Sequence, residues 1–230
     1  MRDTPGGGCN PMISKRRELI RRVFDQLRHT FGPQHWWPAE TSFEVIIGAI
    51  LTQNTAWKNV EQSIKILRER GLLDFEALHA VPAPDLALLI RSSGYFNQKA
   101  RKLKAFCDHV QDHWQGDLQR FLSQEMDTLR QELLTIHGIG PETADSIVLY
   151  AAEQPTFVVD VYTHRIFSRH WWIDETVTYD TLRDFFMDAL EPDVAFFKEY
   201  HALLVRTGHL YCRRKPLCGG CPLEGWKEDS

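Results

Sequence analysis

The 230-residue sequence has no run of eighteen apolar residues, so no segment reads as a membrane-spanning helix. Residues 1–11 are polar, carry Gly6, Gly7 and Gly8 in succession, and lack the apolar centre of a secretion signal. Residues 1–13 are expected to be a disordered tail, with Met12 as an alternative start. Positive charge is not in excess: 27 Lys and Arg stand against 31 Asp and Glu, for a net charge of −4. A polyanion partner would therefore need a basic face rather than a basic total. Repeats and low-complexity tracts are absent. Only Pro155 to Val159 has β character, and it is too isolated to build a sheet. Cysteines number five, three of them crowded near the C-terminus. Without a secretion signal, such crowding suggests metal ligation rather than disulfides.

What is present is helical. Leu19, Ile20, Val23, Phe24 and Leu27 form an apolar stripe at helical spacing within Ser14–Thr30. Ser42 can cap a helix through Leu51 with Phe43, Ile46, Ile47 and Ile50 inward. Further helices are predicted at Ala56–Arg70, Asp74–Ala80, Ala83–Arg91, Gln98–His113, Leu118–Ser123 and Glu125–Ile136. Others begin at Pro141 and fall near Val161–His170, Tyr179–Leu190 and Ala195–Tyr211. The expected fold is all-α, with two helical lobes and a cleft between them. Arg91, Lys99, Arg101, Lys102 and Lys104 form one basic stretch, and Arg206, Arg213, Arg214 and Lys215 another. Either could be a solvated face.

The segment Leu133-Leu134-Thr135-Ile136-His137-Gly138-Ile139-Gly140-Pro141-Glu142-Thr143-Ala144 carries the strongest signal. A helix runs into Gly-Ile-Gly, and the next starts with Pro in its first turn. Two glycines allow a tight turn and close approach of the backbone to another surface. The amides of the turn and of the following helix then face outward, a concavity suited to phosphate. Such contacts grip a nucleic acid without reading its sequence.

One helix further on, Asp160 follows the apolar run Phe157-Val158-Val159 and precedes a predicted helix. Alone, it reads as a helix cap. With the hairpin one helix upstream, it reads as a carboxylate held at a fixed reach from a bound backbone.

Together these residues resemble the endonuclease III superfamily of DNA glycosylases, over roughly Ser14 to Leu223. The carriers are Ile-His-Gly-Ile-Gly, the downstream Val-Val-Asp, Leu51-Thr52-Gln53-Asn54-Thr55, Gly94-Tyr95-Phe96-Asn97-Gln98-Lys99-Ala100 and the C-terminal cysteines. The resemblance implies that Asp160 is the catalytic aspartate. A fixed carboxylate would stabilise the sugar cation formed as the N-glycosidic bond breaks, and could help activate water. The base must first leave the stack, and the resemblance puts Gln53 in the emptied space. Gly138, Ile139, Gly140, Thr143 and Lys99 are the other expected DNA contacts. Bifunctional members carry a lysine two positions past the second hairpin glycine, where it attacks the sugar. Glu142 stands there in this chain, so a monofunctional enzyme without AP lyase activity is expected. Trp36, Trp37 and Trp57 offer aromatic faces that would stack on a flipped, cationic alkylated purine. The pattern Trp36-Trp37-Pro38, then Leu51-Thr52-Gln53-Asn54-Thr55, with Glu142 in the lysine position, resembles the 3-methyladenine glycosylase branch.

Cys212, Cys218 and Cys221 look like the family's 4Fe-4S loop, but Lys227 occupies the place of the fourth cysteine. Three outcomes are open: a cluster with a non-cysteine fourth ligand, a labile cluster, or a site without metal. The expected division is a tail (1–13), a hairpin-bearing lobe of about 40–151 with the hairpin at 126–152, a second lobe from the N-terminal helix plus 153–211, and a cysteine loop and tail (212–230). The expected partner is double-stranded DNA with a damaged base, bound by a cytoplasmic monomer that engages no membrane. Two alternatives remain: a glycosylase/AP lyase acting on oxidised pyrimidines, and a non-catalytic DNA-binding hairpin protein.

Overall fold

The computed structural model describes residues 11–227. The expected tail at 1–10 lies outside them, whereas residues 11–13, expected to belong to it, are the first turn of a helix. In chain order the α-helices are α1 (Pro11–Phe31), α2 (Ser42–Leu51), α3 (Trp57–Glu69), α4 (Phe75–Ala80), α5 (Ala83–Leu89), α6 (Phe96–Trp114), α7 (Leu118–Leu122), α8 (Met126–Thr135), α9 (Pro141–Ser146), α10 (Val161–Arg169), α11 (Tyr179–Met187) and α12 (Val194–Leu210). The fold is all-α, with no strand among the described residues. None of these helices is long and apolar enough to cross a membrane. The chain divides into two compact units: residues 37–156, and the described residues up to Trp36 together with those from Phe157 onward.

In the 37–156 unit, α2 is the central helix. Every residue from Phe43 to Leu51 is buried, as its almost unbroken apolar sequence demands. Its cap is Thr41 rather than Ser42: the Thr41 side chain accepts from the Glu44 amide at 3.1 Å, while Ser42 has already entered the helix. Glu44 is the one charge on α2 and is 4% exposed. Its carboxylate accepts from Arg68 Nη2 on α3 at 2.5 Å and from the Glu40 amide at 3.2 Å. The helix expected to run on from Pro141 changes pitch after Ser146. Ile147–Ala151 form a π-type turn closed by a bond from the Ala152 amide to the Ile147 carbonyl at 3.0 Å. All five of those residues are buried.

In the other unit, the 155–159 run is extended but pairs with no strand. It serves as an apolar spine instead. Phe157 stacks on Phe186 of α11 at 3.9 Å and meets Phe197 and Tyr200 of α12 edge-on at 5.6 and 5.8 Å. Tyr200 is fully buried, and its hydroxyl donates to the Ile20 carbonyl of α1 at 2.9 Å. This aromatic cluster sets the chain direction three residues before Asp160. Removing the Phe157 ring by Phe157→Ala is expected to destabilise the protein by about 3–5 kcal/mol, read by urea unfolding. A loss under about 1 kcal/mol would contradict this account of the core.

Candidate active site

The hairpin is α8, the turn 136–140 and α9. Ile136 leaves the helix with ψ 128°. Gly138 then adopts φ +87°, where glycine is favoured. A Cβ there would also lie 2.3 Å from Lys102 Cγ, so both backbone and neighbour exclude a side chain. Gly140 differs from the expectation of a second tight position. It is extended, with φ −97° and ψ 178°, and a Cβ on it would meet nothing. As the residue preceding α9 it supplies no side-chain cap, so none of the α9 amides is taken by a cap. Ile139 is buried at 5% exposure and anchors the turn, its amide donating to the Ile136 carbonyl at 3.1 Å.

The two hairpin helices are pinned by a buried ion pair. Arg130 of α8 reaches Asp145 of α9 through Nε–Oδ1 at 2.9 Å and Nη2–Oδ2 at 3.2 Å, with Asp145 wholly buried. The Thr156 hydroxyl adds a bond to Asp145 Oδ1 at 2.9 Å. Sequence reasoning passed over this pair. Its one signal is an aspartate close before the apolar run Ile147-Val148-Leu149, which needs a cation if buried.

Gln53 lies just past α2, with its side chain tied to the hairpin. Nε2 donates to the Gly138 carbonyl at 3.0 Å and to Thr143 Oγ1 at 2.9 Å, and Lys102 Nζ donates to Oε1. Thr143 is 6% exposed. Lys99, expected at the DNA, is corrected by the structure: it is 2% exposed, and Nζ donates to the carbonyls of Leu51 at 2.7 Å and Ser93 at 2.6 Å. The charge satisfies the C-terminal end of α2, where the helix dipole is negative. Burial, with the charge of Lys102 second, brings its pKa down to about 8. Of that basic stretch, Arg91 and Arg101 remain exposed.

Two of the three expected pocket tryptophans come together. Trp37 meets Trp57 edge-on at 5.2 Å and Tyr150 at 5.2 Å. Trp37 and Trp57 line a cavity of about 240 Å³ with Glu44, Gly48, Glu61 and Arg68. Gly48 leaves room for the Trp37 indole, whose Cζ2 would lie 3.2 Å from a Cβ. The Trp57 indole N–H donates to Glu61 at 2.8 Å. Trp36 is half-buried and does not line this cavity. Glu142 is exposed in the first turn of α9, where a carboxylate suits the helix dipole.

Asp160, in the other unit, is the N-cap of α10. Its Oδ1 accepts from the Thr163 amide at 2.7 Å. Asp74, Asp117 and Asp193 cap helices in the same way, but their bonds are exposed, and the Asp160 bond is buried. Asp160 is 8% exposed, and Oδ2 stands 3.8 Å from His201 Nε2 of α12. Its charge, after burial, raises the pKa of Tyr162. A cap needs only one of the two carboxylate oxygens, so this carboxylate combines burial with a second oxygen the cap leaves available.

The thiols of Cys212, Cys218 and Cys221 line one cavity of about 210 Å³ with His170, Leu223 and Lys227. Arg169 bonds Cys212 Sγ at 3.4 Å and the carbonyls of Arg213 and Arg214 at 2.7 and 3.1 Å. Lys227 cannot supply a thiolate, Cys107 lies buried within α6, and Cys9 is outside the described residues. Among the described residues no group of three His, Cys, Asp or Glu side chains is gathered as a metal-holding set. These donors do not make up a four-thiolate site.

Residues 47–192 match the model of the HhH-GPD superfamily of base excision DNA repair proteins. The chain belongs to this family. As an HhH-GPD protein it is a DNA glycosylase of base excision repair. It is 43% identical, over 93% of its length and 97% of the relative's, to a Methanocaldococcus jannaschii protein whose name assigns it to the DNA repair glycosylases. It is 29% identical to endonuclease III of Thermotoga maritima over 79% of its own length and 80% of the other's. Among solved structures, the Helicobacter pylori 3-methyladenine DNA glycosylase bound to 1,N6-ethenoadenine is similar at TM-score 0.72 and 26% identity, covering 84% of this chain and 97% of that one. An endonuclease III–DNA complex shares the fold at TM-score 0.78 and 24% identity, covering 92% and 95%.

In this HhH-GPD chain the Arg130–Asp145 pair should govern hairpin stability. Asp145→Leu alone is expected to cost about 3–5 kcal/mol by leaving Arg130 buried without its carboxylate. Arg130→Met combined with Asp145→Leu should recover most of that loss. Urea unfolding of the three proteins checks it, and a single-variant cost under about 1 kcal/mol would contradict the pair's role.

Proposed function

We propose that this glycosylase is monofunctional: it hydrolyses the N-glycosidic bond of a flipped, damaged base with Asp160 as its catalytic carboxylate and leaves an abasic site. The observation that carries the reading is the buried Asp160 cap, one oxygen fixed by the Thr163 amide and the other left by the cap for chemistry. A carboxylate pinned in this way needs no reorganisation as positive charge develops on the sugar. The hairpin backbone around Gly138 and Gly140 is the proposed phosphate grip, because Gly140 brings no side-chain cap to the start of α9. Glu142 stands where bifunctional relatives carry an amine, and a carboxylate cannot form a Schiff base.

For the substrate we propose alkylated purines such as 3-methyladenine. Support comes from the cavity walled by the Trp37 and Trp57 rings with the carboxylates of Glu44 and Glu61, against the one cation of Arg68. Indole faces and excess negative charge favour a cationic base. The likeness to the Helicobacter pylori 3-methyladenine enzyme points the same way. The rival reading, an AP lyase acting on oxidised pyrimidines, draws on the endonuclease III relatives. An iron–sulfur cluster held by Cys212, Cys218 and Cys221 would need a fourth ligand that the described residues do not supply as a cysteine, and no step is assigned to it.

Asp160→Asn is expected to slow base release from methylated DNA by about a hundredfold or more, measured under single-turnover conditions; release at the wild-type rate would refute the mechanism. Borohydride treatment of the enzyme on abasic DNA should trap no covalent adduct, because trapping requires an amine nucleophile. Methylated DNA should lose bases faster than thymine-glycol DNA, and the reverse order would favour the rival substrate class.

A further inference from the structure

Helix α12 presents His201 and Gly208, two turns apart on one face, to α10. A Cβ on Gly208 would lie 2.2 Å from the Tyr162 ring, so glycine there lets α10 and α12 close together. Two turns back from that contact, His201 lies beside the N-terminus of α10. It is 5% exposed on an otherwise apolar side of α12, with Phe197, Leu204 and Tyr200 buried beside it. Its Nε2 faces Asp160 Oδ2 at 3.8 Å. Two different groups thus face the two oxygens of one carboxylate, the Thr163 amide at Oδ1 and the His201 imidazole at Oδ2.

We propose that His201 is a positioning residue for Asp160: its imidazole N–H aims the second carboxylate oxygen at the sugar cation without neutralising it. The inference rests on the assignment of Asp160 as the catalytic carboxylate. The distance is longer than a hydrogen bond, as contacts to reacting groups often are before substrate binds, tightening in the reacting complex. Burial lowers the imidazole pKa and the charge of Asp160 only partly opposes it. The ring is therefore neutral at neutral pH. A neutral ring orients the carboxylate, whereas an imidazolium would compete with the sugar for its charge. The arrangement is that of a fixed donor orienting a reacting group, known from other hydrolases.

The test is single-turnover base release, compared with affinity for abasic-site DNA and with the melting temperature of each variant. His201→Leu is expected to slow release by about 10- to 100-fold, the range found for partners that orient a functional ligand, with DNA affinity and melting unchanged. His201→Gln, which keeps an N–H at similar reach, is expected to stay close to the wild-type rate. His201→Met, which has no donor, should match the leucine variant and gives the same reading if that one does not fold. In an Asp160→Asn background, His201→Leu should cost nothing further. Release by His201→Leu at the wild-type rate, or an equal loss in both backgrounds, would overturn the proposal. Normal release by Asp160→Asn would remove the underlying assignment as well, so the two failures are distinguishable.

Discussion

The buried carboxylate of Asp160 is the constraint on which the proposed chemistry rests. A charge held at 8% exposure must be compensated. The compensation comes from the first turn of α10, through the Thr163 amide and the positive end of the helix dipole. The same contact that makes the charge tolerable fixes its direction. The Phe157 spine, locked among Phe186, Phe197 and Tyr200, delivers the chain to that cap. Packing and electrostatics therefore serve one atom pair. Apolar surface sets where the backbone turns, and the backbone amide sets where the carboxylate points.

The hairpin follows a similar economy. Its inward side is tied down by groups of opposite character. Arg130 and Asp145 pin α8 to α9, and Gln53 holds the Gly138 carbonyl from the end of α2. Lys99 secures that end of α2 in turn. A buried ion pair is weak evidence for stability, since an apolar replacement of both partners can be as stable. Its use here is geometric, fixing the angle between two short helices.

Much of this was legible in the sequence, and the exceptions have physical causes. Helical spacing exposed the all-α fold because burial of the α1 stripe leaves a periodic apolar trace. The hairpin and Asp160 were legible because glycine with positive φ and a capping aspartate have local signatures. Lys99 was misplaced because a lysine in a basic stretch looks solvated. Only the fold reveals that its ammonium ends on the carbonyls of Leu51 and Ser93, which lie 48 and 6 residues away in sequence. His201 and Arg130 were passed over for the same reason: each has its partner on another helix, 41 and 15 residues distant. Trp36 and Trp37 are adjacent in sequence, yet only Trp37 reaches the cavity with Trp57.

The most direct test of the central claim, that a carboxylate acts here without an amine nucleophile, is the state of the DNA strand after the base has gone. End-labelled duplex carrying one excisable base would be incubated with the enzyme and run on a denaturing gel with and without hot alkali. The account predicts an intact strand that breaks only after alkali. Enzyme-dependent cleavage without alkali would contradict it.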